Sequence, residues 1–67
     1  MTEKDVCMLP ESFYFRSIYS YDILCYAKEV KFGYRVTFTD NDKEKETYYL
    51  TNKFHDLLLD GSFIIEK

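Results

Sequence analysis

The chain has 67 residues, 46% of them hydrophobic and 31% charged, with two glycines and one proline. That length fits one domain, and the aromatic content disfavours a disordered chain. The net charge of −3, with the lysines and arginines scattered, disfavours a duplex nucleic-acid binder or an anionic membrane surface as partner.

Residues 1–11 read as an irregular lead-in broken by Pro10, with Val6, Met8 and Leu9 as a strap against the domain. Ser12–Tyr19 is dense in aromatics and predicts a strand: Phe13 and Phe15 share one face, Tyr14, Arg16 and Ile18 the other. Ser20-Tyr21-Asp22 marks a turn. Ile23–Val30 predicts a second strand, apolar on both parities; a helix across Tyr19–Val30 is the alternative, because Ile23, Tyr26, Ala27 and Val30 also fit spacings of three and four.

Phe32–Thr39 alternates strictly, with Phe32, Tyr34, Val36 and Phe38 on one face, as in a sheet with one face buried and one wet. Gly33 marks a tight connection or bulge next to it. Asp40–Glu44 is a turn, since Asp and Asn tolerate the left-handed conformation. Lys45–Thr51 returns as a strand, with Tyr48 and Leu50 opposed to Tyr49. Thr51 or Asn52 then caps a helix of about two turns, with Phe54, Leu57 and Leu58 inward and Gly61 as its stop. Ser62–Glu66 closes as a short strand.

The fold class is therefore α+β. A small antiparallel, meander-like sheet of four or five strands carries one short helix near the C-terminus on one face. Residues 1–67 form a single domain, with the lead-in before residue 12.

No motif for catalysis stands out. His55 is the only histidine. Asp56 follows it on a helix, where adjacent side chains diverge, so the expectation is an exposed or capping residue. Cys7 and Cys25 lack CxxC spacing and read as a tail thiol and a buried small hydrophobe. The Asp40, Asp42, Glu44, Glu46 run lacks the glycine and terminal acid of a calcium loop. It reads as a solvated hairpin tip, or as an acidic prong toward a basic partner surface. The expectation is no enzymatic activity, no cofactor and no metal.

Thirteen aromatic residues, seven Tyr and six Phe, exceed what so short a chain buries, since a 60-residue domain hides only about 60% of its unfolded surface. Phe13, Phe15, Phe32, Tyr34, Phe38, Tyr48, Phe54 and Phe63 are enough for the core. Outward tyrosines remain, and Tyr14, Tyr21 and Tyr49 with Arg16 and Arg35 are the candidate partner-binding patch. The partner is another protein or a second copy of the chain. The alternatives are a single-stranded nucleic-acid binder that stacks bases on the rings, a structural homo-oligomer subunit, and cross-strand ring pairing with no partner.

In its small, acidic, Tyr-rich and glycine-poor composition the chain resembles the short accessory proteins that bacteriophages make to bind and modulate host proteins. No motif carries that resemblance and it assigns no residue. It implies a role through binding. Reduced thiols and the absence of an apolar leader run after Met1–Asp5 give a cytoplasmic expectation, the host cytoplasm if the source is viral.

Overall fold

A computed structural model describes residues 2–66. Five strands form one antiparallel sheet: β1 (Ser12–Ser17), β2 (Ser20–Val30), β3 (Gly33–Asp40), β4 (Lys43–Leu50) and β5 (Phe63–Glu66). Their spatial order is β4-β3-β2-β1-β5. Two helices, α1 (Glu3–Cys7) and α2 (Thr51–Leu59), complete the chain. The first four strands form a meander. β4 and β5 occupy opposite edges, so the segment joining them crosses one face, and α2 is that segment. Among the described residues, no helix is long and apolar enough to cross a membrane.

The lead-in is more ordered than its sequence suggests. Thr2 caps α1 through a reciprocal pair with Asp5: the Thr2 Oγ1 accepts the Asp5 N–H at 3.2 Å, and the Asp5 carboxylate accepts the Thr2 N–H at 3.3 Å. This capping box holds a single turn whose Val6 is buried on the core and which packs against α2. Leu9 also packs on the core, whereas Met8 stays in solvent.

The region 20–30 is strand, not helix. Its β2 pairs with both β1 and β3, from Cys25 to Lys28 in both ladders. Two sheet neighbours satisfy its backbone on both sides, which outweighs the three-four spacing of its apolar residues. The turn falls earlier than expected, at Ile18–Tyr19, where Ser17 Oγ accepts the Tyr19 N–H at 3.2 Å. The ladder register then shifts between Phe15 and Ser17, so that Tyr21 and Asp22 belong to a bulged stretch of β2.

Asn41 and Asp42 both have positive φ, 52° and 62°. That is the pattern of a type I′ turn, whose twist matches a two-residue hairpin. Phe32 also has positive φ, 72°, and lies in the turn between β2 and β3 rather than in a strand. Its ring is 74% exposed, which removes it from the expected core. Gly33 is needed for close approach, because a Cβ there would collide with the backbone carbonyl of Tyr49.

Leu50 occupies the cap position of α2 with no side-chain hydrogen bond, which corrects the expected Thr51 or Asn52 cap. Gly61, at φ 86°, ends the helix as expected. Asp60 Oδ1 then accepts the Ser62 N–H at 2.8 Å and its carboxyl is held below the usual carboxylate range by that bond.

The core lies between α2 and the sheet. Phe54 is 0% exposed. It meets the rings of Phe13, Phe15, Tyr34, Tyr49 and Phe63 at centroid distances of 6.0, 5.3, 4.6, 5.7 and 5.4 Å. Ala27 and Val36 floor this cluster, and Leu58, one helical turn beyond Phe54, closes it.

Candidate functional site

The opposite face of the sheet has no covering element among the described residues. Directly paired residues share a face, so the register maps this face. Tyr14 pairs with Tyr26, Tyr26 with Thr37 and Thr37 with Glu46. Beside that row, Lys28 pairs with Arg35 and Arg35 with Tyr48. Toward the far end, Thr39 pairs with Glu44 and Arg16 with Ile64. The result is an open platform with tyrosines at its centre and charge around them.

Tyr14 and Tyr26 form its middle, with ring centroids 5.1 Å apart at 53°. Tyr14 is 50% exposed and Tyr48 49%. Tyr48 Oη donates to the Lys31 carbonyl at 2.7 Å, which fixes one end of its ring while leaving the other edge in solvent. Leu24 and Ile64 are also exposed here. A shallow depression of about 390 Å³ lies among Asp22, Leu24, Tyr26, Thr37, Thr39 and Glu44.

Four of the residues singled out in the sequence meet on this side. Tyr14, Arg16 and Arg35 stand on the open face. Tyr21 joins them through Arg16, whose guanidinium lies 5.7 Å from the Tyr21 ring centroid and donates from Nη1 to the Tyr21 carbonyl at 2.9 Å. Arg16 Nε also donates to Glu66 Oε2 at 3.2 Å. Arg35 makes no ion pair among the described residues.

Tyr49 does not belong to this patch. It pairs with Tyr34, so it takes the helix-side face, where it packs edge-on against Phe54 and Phe63. Tyr48 takes the outward position instead. Period two in β4 gives both parities one tyrosine each, and only the pairing with β3 decides between them. Tyr26, Lys28, Leu24 and Tyr48 therefore complete a surface that the sequence reading placed only in part.

The acidic run does not form one prong. The turn separates Asp40 from the acids that follow. Asp40 sits across from Lys43 and pairs with Lys45 Nζ at 3.4 Å. Asp42 occupies the tip, whereas Glu44 and Glu46 project on the open face. Four acids at every second position share a face only if the strand does not turn, and here it does.

On the other side His55 is half-buried rather than exposed. Its Nε2 shares a hydrogen bond of 3.2 Å with Tyr34 Oη. Burial raises the Tyr34 phenol above its usual range, and the Glu29 carboxylate adds to that shift. This contact was invisible in the sequence, because it joins β3 to α2. Cys7 and Cys25 are free thiols. Burial pushes the Cys25 thiol up, with Arg16 opposing it in part.

No protein-family model, curated protein or solved structure matches this chain at a significant level.

Proposed function

We propose that this protein is a non-enzymatic protein-binding module and that the open face of its sheet is the contact surface. One observation carries the reading: α2 covers only one side of the sheet, while Tyr14, Tyr26, Tyr48 and Leu24 stand on the other side with arginines beside them. Tyr and Arg are enriched at binding hot spots. A tyrosine offers a large apolar area and a polar tip at little entropic cost. The composition supports a phage-type accessory role, in which such a surface binds and modulates a host protein.

The test is affinity capture with a face variant and a control. Tyr14→Ala weakens partner binding by about 2 kcal/mol if the ring is an anchor, with the fold retained because half of its surface is already in solvent. Lys53→Ala, on exposed helix surface, leaves binding unchanged. Equal binding by wild type and Tyr14→Ala removes the reading.

One observation favours a second reading. Lys28, Arg35 and Arg16 share the face with three tyrosines, the combination on which single-stranded nucleic acid stacks. Glu44, Glu46 and Glu66 on the same face oppose it. Steeply salt-dependent binding of oligo-dT would support this reading over the first.

A further inference from the structure

The open face is polarised along the strands, and its polarity complements itself, because Arg16 at the acidic end is ion-paired with Glu66 at 3.2 Å. Lys28 and Arg35 stand side by side at one end. Asp22, Leu24 and Glu44 border the depression at the other. The cation row and the Leu24–Glu44 row lie four residues apart along the strands, roughly 14 Å. The Tyr14–Tyr26 row runs between them. Lys28, Arg35, Asp22 and Glu44 are all exposed, and none has an ion pair among the described residues.

We propose that this face binds a second copy of the chain, with two sheets stacked face to face about a two-fold axis that crosses the strands at the Tyr14–Tyr26 row. The proposal rests on the reading of this face as a protein interface and names its occupant. An axis lying in the interface and perpendicular to the strands reverses strand direction. It carries Lys28 and Arg35 of each copy onto the Asp22 and Glu44 end of the other, twice by symmetry. An axis along the strands would instead stack cations on cations, so charge selects the first. At the centre the Tyr14–Tyr26 pair meets its own image and loses its exposed area to water. Glu46 approaches its image only at the solvated rim, where a like pair costs little.

Size agrees with this arrangement. The molecule measures 35 × 24 × 19 Å, so a flat face offers at most about 800 Å², one partner's share of a standard interface. Such a two-fold contact closes on itself and leaves no surface for further addition.

Sedimentation equilibrium on four proteins tests the proposal: wild type, Arg35→Glu, Glu44→Arg and the double variant, each checked for fold by circular dichroism. Wild type sediments as a dimer and dissociates more readily at about 1 M salt, where screening acts beyond about 3 Å. Each single reversal weakens the dimer by roughly tenfold or more. The double variant restores it, because the exchanged charges meet again across the axis. Three results would overturn the proposal: a wild type that stays monomeric, single variants that dimerise like wild type, or a double variant no tighter than either single. A monomeric wild type that still loses a captured protein on Tyr14→Ala would refute only the second copy and keep the interface. A monomer that binds oligo-dT with steep salt dependence would overturn both.

Discussion

Phe54 is the ring on which the core converges, and Phe54→Ala measures how much of the fold depends on it. The side chain is fully buried and touches five other rings. Removing it deletes about 100 Å³ of packed volume, which at about 24 cal/mol per Å³ of residual cavity costs about 2.4 kcal/mol if nothing relaxes. The lost transfer of the ring adds about 1.5–3 kcal/mol. A cost of about 4 kcal/mol follows, inside the range of about 3–5 kcal/mol seen for Phe→Ala in cores. A chain of 67 residues has a total stability of only about 3–10 kcal/mol. The variant therefore loses most of its margin or fails to fold. Urea titration followed by far-ultraviolet circular dichroism reads the midpoint, and near-ultraviolet dichroism reads the fixed tyrosines. Phe54→Leu refills part of the space and should cost about 1–2 kcal/mol. If Phe54→Ala cost less than about 1.5 kcal/mol, the ring cluster would not be the organising core described above.

Two further predictions concern backbone and protons. Phe32→Gly removes a side chain held at φ 72° with its ring largely in solvent. Relief of the left-handed penalty of about 1–2 kcal/mol exceeds the loss of the exposed Lys31–Phe32 contact, about 0.5 kcal/mol. The urea midpoint should rise, and a fall equivalent to about 1 kcal/mol would contradict this account of the turn. Tyr34 has a phenol raised above its ordinary value of 10.0 by burial and by Glu29. A folded-state pKa above the unfolded one gives stability that is complete below pH 10 and lost as pH rises through the folded value. Wild-type stability should fall more steeply above pH 10 than that of Tyr34→Phe; equal slopes would show that Tyr34 is not the linked group.

The sequence was informative where one physical cause acted alone. Strict alternation in 32–39 marks a strand with one buried face, and β3 is that strand from Gly33 on, with Phe32 left in the turn before it. Asn41 and Asp42 marked a turn, and both adopt the left-handed conformation. Gly61 marked the end of α2. These signals are local, since each depends on the φ preference or side-chain period of its own residues. The Thr2–Asp5 capping box is equally local, but a single turn of helix has no periodicity to reveal it.

What the sequence could not decide is which side of each strand faces the helix. In β4 a shift of one residue exchanges Tyr48 with Tyr49, and both faces read equally well. The pairing of Tyr49 with Tyr34 settles it, and with it which tyrosines remain outside. The same holds for the acids at 40–46, which the hairpin turn divides between two faces, and for His55, whose partner lies on another element. Composition determined that rings would be left over, and the alternation and turn signals that an α+β sheet would carry them. Only the tertiary register decided which rings, because a side chain's face is set by its cross-strand neighbour and not by its own identity.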